Sequence, residues 1–286
     1  MHIETFSPSI KAFIRPGEGA NIGLIHTDEG YILIDTPTFP PDMRSLLDAA
    51  EITASDVRLV INTHYHADHT WSNQVFDCPI IAHRLCRETM ETKLENEWSP
   101  AGIEKMLSEY EKTNFEAAAE TRGKLGNLTV RLPTEVIDEH KAMQWGDVRL
   151  ELIHVGGHTP GSIIVWLPTE KILFASDLLF IGRYPYIDEA NIPDLIEVLK
   201  KLPEFGAKTI VPGHGPLCGS TEIAKLRDYL ERTWDWTKEQ LQAGRSVEEF
   251  ASDASSPQHV DKDEPPGRRE QNIRVMAEQI KKGSSP

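Results

Sequence analysis

Four side chains able to bind metal ions lie within six residues of one another, directly after an apolar segment: His64, His66, Asp68 and His69. Imidazole and carboxylate together suit zinc, and also iron or manganese. On a loop that leaves a strand, the spacing of His64 and His66 allows both rings to face one ion. Asp68 and His69 can then face a neighbouring ion. A group of surface histidines is the weaker interpretation, because a buried strand is predicted just before them.

Three further candidate ligands occur later in the chain, each predicted in a loop after an apolar strand: His158, Asp177 and His214. Both histidines have glycine neighbours, in Gly156-Gly157-His158 and in Gly213-His214-Gly215. Glycine allows tight turns and a close approach of the backbone to a ligand. Taken singly, each candidate is weak, because the glycine pair also suits a plain turn and Asp177 also suits a helix cap.

The seven side chains in this order resemble the two-metal motif set of the metallo-β-lactamase fold superfamily. All seven positions are filled, and the match extends over nearly all of the first 250 residues. The resemblance implies an α/β fold, namely an αββα sandwich of two mixed β-sheets with helices on the outside. It also implies that the metals lie at one edge of the sheets. Asp35, after the predicted strand Tyr31–Asp35, is similar to an acidic residue that many members carry, with a structural role.

The resemblance implies two divalent metal ions per chain, zinc first and iron or manganese as alternatives. One ion is then bound by three histidines: His64, His66 and His158. The other is bound by a mixed set: Asp68, His69 and His214. Asp177 bridges the two ions.

The chemistry implied by the resemblance is hydrolysis of a small-molecule carbonyl substrate, namely an ester, lactone, thioester or lactam. Two ions about 3.5–4 Å apart lower the pKa of a shared water and clamp the reacting oxygens. The nucleophile is then the bridging hydroxide, and Asp68 is the catalytic residue that orients the water and relays its proton. Two divalent ions are only partly neutralised by Asp68, Asp177 and the hydroxide, so the centre stays positive.

The subfamily stays open at this stage. The segment Ser176–Arg183 is similar to the corresponding stretch of the glyoxalase II type of thioesterase. Those enzymes usually carry a basic clamp for glutathione toward the C-terminus. In this chain the only candidates for that clamp are Arg268, Arg269 and Lys281-Lys282. Pro212-Gly213-His214-Gly215 resembles the true β-lactamases, although their commonest type has Cys at the position of Asp177. Acyl-homoserine lactonases typically carry Tyr where this chain has Phe180.

Charge and composition bound the partners and the location. The formal net charge of −15 argues against nucleic acid as a partner. No apolar run approaches the ~20 residues that span a membrane. Three cysteines without a CxxC spacing predict reduced thiols and a cytoplasmic protein.

Three other function classes were weighed against hydrolysis. An iron-dependent oxidoreductase with sulfur or oxygen chemistry is the main alternative, since some members of the fold bind iron. Flavin-linked di-iron members replace the second histidine of the motif with Glu, whereas this chain keeps His66. A nuclease is disfavoured by the charge, and a binding-only protein by the complete ligand set.

Hydrophobic patterning predicts strands and helices around these ligands. The predicted strands are Ala20–Thr27, Tyr31–Asp35, Val57–Asn62, Leu128–Leu132, Glu135–Asp138, Val148–His154, Ile163–Leu167, Lys171–Ala175 and Lys208–Val211. The predicted helices are Met43–Ala50, Ile192–Leu202, Ser220–Gln242 and Arg268–Lys282. We therefore expect a metallo-β-lactamase-like domain over residues 1–250, then a polar linker and C-terminal helix over 251–286.

Residues 83–122, rich in Glu, Lys, Leu and Ala, predict a two-helix insertion within that domain. The insertion is either a solvated charged hairpin, or a lid or homodimer surface beside the site.

Overall fold

A computed structural model of the chain describes residues 2–15, 17, 19–260 and 266–283. Its internal contacts divide the chain into two compact units, Met1–His154 and Val155–Pro286. Across the described residues, no helix has both the length and the apolar character needed to cross a bilayer.

The first unit contains a seven-stranded sheet whose strands follow one another in chain order. The strands are β1 His2–Ser7, β2 Ile10–Ile14, β3 Ile22–Thr27, β4 Gly30–Ile34, β5 Val57–Ile61, β6 Ile80–His83 and β7 Glu135–Ile137. Pairing is antiparallel from β1 to β4 and parallel from β4 to β7. The segments Ile32–Ile34 and Leu59–Ile61 are buried throughout, as expected of parallel strands covered on both faces.

The first unit also contains a hairpin that patterning missed in part. It joins β8 His140–Trp145 to β9 Val148–His154, with antiparallel pairing. β9 was predicted with these bounds. β8 was not, because its positions alternate only between exposed and partly buried, and residues such as Lys141 and Gln144 give little alternation of polarity.

The predicted two-helix insertion is wrong in its helix number. After α1 Pro40–Ala49 and the short α2 Ala67–Thr70, the chain forms three consecutive helices: α3 Arg84–Glu95, α4 Pro100–Thr113 and α5 Phe115–Leu125. The break between the last two is made by Asn114, whose side-chain oxygen accepts a hydrogen bond from the Ala117 amide at 3.0 Å. Such a cap starts a new helix within a segment whose composition is uniformly helical.

The predicted strand Leu128–Leu132 is also wrong, because this segment is extended without forming a ladder. Its apolar side chains Val130 and Leu132 instead pack against a buried cluster that includes Met90. The Thr129 amide donates to the side chain of Gln74 at 2.9 Å rather than to a neighbouring strand. These packing contacts, rather than a strand, account for the apolar residues in the segment.

The second unit contains three strands: β10 Ile163–Leu167, β11 Ile172–Phe180 and β12 Thr209–His214. β11 pairs antiparallel with β10 and parallel with β12. The described residues thus form two mixed β-sheets together with helices, as the predicted α/β class requires. β11 is longer than the predicted Lys171–Ala175, and β12 longer than Lys208–Val211.

The helices of the second unit are α6 Ile192–Lys201, α7 Ser220–Gln242, α8 Val247–Ala251 and α9 Arg268–Lys281. The predictions for α6, α7 and α9 are confirmed to within one residue, whereas α8 was missed. Part of the predicted linker, residues 261–265, lies outside the described residues, as do 284–286. The division at residue 250 stays a prediction.

Helix α9 is held to the rest of the second unit by buried apolar and polar contacts. Ile273 belongs to an apolar cluster with Phe250. The side chain of Asn272 donates to the Pro185 carbonyl at 3.0 Å, and that of Gln279 donates to the Ala190 carbonyl at 2.6 Å. The C-terminal helix is therefore an integral part of this unit.

We expect Ile273→Ala to lower the free energy of unfolding by about 2–5 kcal/mol, because it removes buried methylene groups and leaves a cavity. Urea denaturation of the purified chain measures this change. Glu278→Ala, at an exposed position of the same helix, is the control and should change stability little. Equal stability of the two variants would contradict the docked position of α9.

Candidate metal centre

In the first unit, His64 and His66 turn one ring nitrogen toward each other. The loop that carries them leaves the carboxyl end of β5, and His64 Nε2 lies 3.0 Å from His66 Nδ1. His64 Nδ1 lies 3.2 Å from the Thr63 hydroxyl, which itself donates to Asp35 Oδ2 at 2.7 Å. His64 therefore carries its proton on Nδ1. Two nitrogens bound to one tetrahedral zinc at about 2.0–2.1 Å lie about 3.3 Å apart, so the spacing suits a shared ion.

Asp68 and His69 follow on α2 and form a second pair of donors. His69 Nδ1 donates to Asp35 Oδ2 at 2.8 Å, and His69 Nε2 lies 3.8 Å from Asp68 Oδ2. Metal-binding histidines usually donate their other nitrogen to a carboxylate or carbonyl in this way. His69 is fully buried, whereas 29% of the Asp68 side chain is exposed. Asp68 is thus the donor of this pair that solvent reaches.

Asp35 supports this group of candidate ligands through hydrogen bonds to Thr63 and His69. Its carboxylate accepts three hydrogen bonds, from the Thr63 amide, the Thr63 hydroxyl and His69 Nδ1, at 2.7, 2.7 and 2.8 Å. Burial raises the pKa of Asp35, while the interactions with His69 and Thr63 lower it. Its φ of +66° lies in the left-handed region, which Asp adopts more readily than most residues. These contacts are consistent with the structural role that the sequence predicts for Asp35.

A buried polar network fixes the backbone of the same loop. The His69 carbonyl accepts from the Thr36 amide at 3.0 Å and from the Asn62 side chain at 2.9 Å. The Asn73 side chain in turn donates to Asn62 Oδ1 at 2.8 Å. Sequence reasoning missed these three residues. The available signal was Asn62, a polar residue at the end of an otherwise apolar run.

In the second unit, one oxygen of Asp177 lies between two histidines. Asp177 Oδ2 is 3.5 Å from His158 Nε2 and 3.4 Å from His214 Nε2, and all three side chains are buried. A carboxylate oxygen this close to two imidazole nitrogens is a suitable donor set for divalent metal. The roles that the resemblance implies for these three residues stay predictions.

Two of these residues do not lie in loops as predicted. Asp177 is inside β11, and His214 is the last residue of β12, whereas His158 does follow β9 in a loop. The pairing of β11 with β12 shifts register on both sides of Ser176, whose φ is +51°. This bulge turns the strand locally, which is how a side chain within a strand is redirected toward a site.

Gly213 and Phe180 shape the space around Asp177. A Cβ on Gly213 would lie 1.8 Å from Asp177 Oδ1, so any larger residue there displaces the carboxylate. The Phe180 ring stacks on His214 with a centroid distance of 4.9 Å and an angle of 7°. It also lies 5.9 Å from the ring of His158. Phe180 is therefore a buried wall behind both histidines.

Other residues singled out in the sequence have structural contacts. Tyr65 packs in a buried cluster with Cys86, and Trp71 in another with Leu107. Burial raises the pKa of the Cys218 thiol to about 12, which does not favour a thiolate ligand. Arg268 lies over the Tyr186 ring, 3.8 Å from its centroid, and pairs with Asp188. This arginine is thus engaged within its own unit.

The donor set fits divalent metal ions. The first unit supplies three imidazoles and a carboxylate, and the second supplies two imidazoles and a carboxylate. Imidazole with carboxylate is a ligand chemistry typical of zinc, and iron and manganese also accept it. In the first unit, Thr63 and Asp35 fix the orientation of His64 and His69, as neighbouring groups usually do for metal-binding histidines.

We expect Asp35→Asn to weaken metal binding about 10–100-fold, because the amide cannot accept all three hydrogen bonds and His69 loses its orientation. Asn also tolerates the positive φ, so the backbone is preserved. Competition with a chromophoric chelator measures the affinity. Asp138→Asn, at an exposed ion pair with Arg84, is the control. Unchanged metal affinity in Asp35→Asn would show that Asp35 does not support metal binding.

We expect Gly213→Ala to lower metal affinity at least about tenfold, because the added methyl group displaces Asp177. The control is Gly219→Ala, where the nearest atom to the new Cβ is 3.8 Å away. The same chelator titration compares them. Equal affinity of the two variants would show that the position of Asp177 does not govern binding.

Comparisons with known proteins agree with this geometry. A profile described as the metallo-beta-lactamase superfamily matches residues 15–214. The beta-lactamase-like protein 2 homolog of Caenorhabditis elegans is 24% identical over 264 residues, which is 87% of this chain and 76% of that protein. The acyl-coenzyme A thioesterase MBLAC2 of Homo sapiens is 26% identical over 259 residues, or 84% and 88%. The hydroxyacylglutathione hydrolase of Mesorhizobium japonicum is 26% identical over 183 residues, or 64% and 56%.

Solved structures show the fold. The metallo-beta-lactamase from Pontibacter korlensis aligns with a TM-score of 0.59 at 20% identity, covering 80% of this chain and 98% of that one. The sec-alkylsulfatase Pisa1 from Pseudomonas sp. aligns with a TM-score of 0.73 at 17% identity, covering 97% and 50%. With its profile match, its relatives and this fold, the chain belongs to the metallo-β-lactamase superfamily.

Proposed function

We propose that this protein is a dinuclear, zinc-dependent hydrolase that cleaves acyl thioesters. The family and its relatives support a hydrolase, and the donor chemistry supports a divalent metal. The observation that carries the dinuclear proposal is the single Asp177 oxygen between the Nε2 atoms of His158 and His214, at 3.5 and 3.4 Å. Together with His64, His66, Asp68 and His69, these donors number seven, which is more than the four ligands that one tetrahedral zinc ion takes.

In this proposal each ion has its own histidines. One ion is held by His64, His66 and His158, and the other by Asp68, His69 and His214, with Asp177 common to both. When bound, the ions supply Lewis acidity and lower the pKa of a water molecule. The chain's own residues then orient the reactants and move the proton.

Asp68 is the residue that we assign to the proton transfer. Its side chain is partly exposed, whereas His69 beside it is buried. A carboxylate that solvent reaches can accept a proton from the attacking water and pass it to bulk solvent or to the leaving group. Thr63 and Asp35 hold the neighbouring imidazoles in one orientation, so their nitrogens keep their lone pairs toward the ions.

The thioester is chosen among the carbonyl substrates on the strength of the relatives. The human protein named acyl-coenzyme A thioesterase aligns with 84% of this chain and covers 88% of its own length. The match to the metallo-beta-lactamase type 2 of Bacteroides fragilis covers only 27% of this chain. Asp177 also stands where the commonest β-lactamases have Cys. These points favour a thioester over a lactam.

We also propose a cytoplasmic location, supported by three cysteines that form no disulfide in the described residues. A small-molecule substrate rather than nucleic acid agrees with the net charge of −15. A homodimer stays a prediction.

The first experiment is elemental analysis of the purified protein, followed by hydrolysis of butyryl-coenzyme A and of a matched ester, lactone and β-lactam. We expect two zinc ions per chain, thioester cleavage that a chelator abolishes, and recovery with added zinc. Predominant iron with oxygen-dependent chemistry would instead support the oxidoreductase alternative. Metal-loaded protein that cleaves only another substrate in the panel would overturn the thioester assignment.

We expect Asp68→Ala and His66→Ala to lower turnover at least about 100-fold, because each removes a metal ligand or an electrostatic group at the reacting atoms. His140→Ala is the control, since this exposed histidine lies on β8 away from the motif. Steady-state kinetics with metal content measured on each variant separates lost metal from lost proton transfer. Turnover near that of the parent in either variant would reject the assignment.

A further inference from the structure

A pocket of about 650 Å³ opens beside the motif that carries the first unit's ligands. Its volume lies within the range of about 300–1,000 Å³ that is usual for small-molecule sites. The lining residues come from α2 and its C-terminal side, from the turn between α3 and α4, and from α4 itself. They are Ala67, Trp71, Asn96, Glu97, Trp98, Gly102, Lys105, Met106 and Glu109.

The walls of this pocket are largely apolar and partly adaptable. Trp71 and Trp98 meet edge to face, with ring centroids 5.7 Å apart at 84°. Both rings are backed by a cluster that contains the buried Leu107. Met106 is 45% exposed and stands at the wall, where its flexible thioether side chain can follow the shape of a bound group. Such walls favour a hydrocarbon.

The charges around the pocket do not favour an anionic head group inside it. Glu97 pairs with Lys93 at 2.7 Å, and Glu109 pairs with Lys112 at 2.6 Å. Both carboxylates are therefore already neutralised. Lys105 lines the pocket, is exposed and forms no ion pair with any residue that the structure describes. A single exposed cation adds little affinity for an anion.

The pocket adjoins the segment that carries the first unit's candidate ligands. Ala67 lines it and stands between His66 and Asp68 in the sequence. Trp71 lines it two residues after His69. A group bound here therefore lies next to the backbone that carries those candidate ligands.

We propose that this pocket binds the apolar acyl chain of the thioester substrate. This inference rests on the proposed function and adds to it the substrate class, a medium or long unbranched acyl group. In this proposal the turn between α3 and α4, together with α4, determines which acyl chains bind. A solvated hairpin and a homodimer surface stay the alternatives for this insertion.

The direct test is binding of thioethers that cannot be hydrolysed, from S-ethyl- to S-decyl-N-acetylcysteamine. Calorimetry and tryptophan fluorescence on the purified protein measure affinity with and without metal. We expect affinity to rise roughly fourfold per methylene until the pocket is filled, from the transfer free energy of a buried methylene. Quenching or a shift of the tryptophan emission should accompany binding. Affinity that does not depend on chain length overturns the proposal.

Two substitutions locate the binding in this pocket. Met106→Asp should lower affinity for the decyl compound at least about tenfold, because it places a carboxylate against the chain. The same variant should keep the fold and the thermal unfolding temperature of the parent chain, measured by circular dichroism, as expected of an exposed position. Lys105→Gln should have little effect on either, since the occupant is uncharged.

Phe115→Asp is the matched control, because this residue lies on α5, is 70% exposed and does not line the pocket. Equal losses of decyl affinity in Met106→Asp and Phe115→Asp would overturn the proposal. Loss of decyl affinity in Lys105→Gln would also overturn it, because an uncharged chain in the pocket does not depend on that cation. Chain-length-dependent binding without any thioester cleavage would leave the apolar pocket standing and reject the proposed function alone.

Discussion

The carboxylate of Asp35 is the interaction on which the first unit's candidate ligands depend. It lies just beyond β4, and the group it holds, Thr63, lies just beyond β5. Because these strands are parallel, their carboxyl ends meet at one edge of the sheet, the usual place for a ligand site in α/β proteins. A buried charge is costly unless it is fully hydrogen-bonded. Asp35 meets that condition only while Thr63 and His69 keep their positions, so sheet and ligands stabilise each other.

The second unit reaches its ligand geometry by a different physical route. Here the backbone rather than a buried carboxylate sets the positions: a bulge at Ser176 redirects β11, and the missing side chain at Gly213 leaves room for Asp177. Phe180 then closes the space behind His214. Residues in sparsely populated backbone conformations are retained where the surrounding structure determines them, which is common at functional sites. The left-handed backbone at both Asp35 and Ser176 follows this rule.

Candidate ligands could be selected from the sequence because metal binding accepts few residue types, and the family motif fixes their order. The long buried strands such as β5 and the long helix α7 were also predicted, since each has a strong pattern of its own. Tertiary packing decided the rest. Val130 and Leu132 are apolar because they contact a helix cluster, so their segment imitates a strand. The supporting network around Asn62 consists of polar residues far apart in the chain, and no local pattern brings them together.

The contacts of α9 bear on what loss of this helix does to the second unit. Its side chains hydrogen-bond the carbonyls of Pro185 and Ala190, in the segment that leads away from Asp177. Arg268 covers Tyr186, whose ring centroid lies 6.1 Å from that of Phe180. A nonsense codon just before Arg268 would remove none of the seven ligands, yet it would uncover these carbonyls and the aromatic wall behind His214. Alleles that truncate the chain before α9 should therefore abolish activity rather than reduce it slightly.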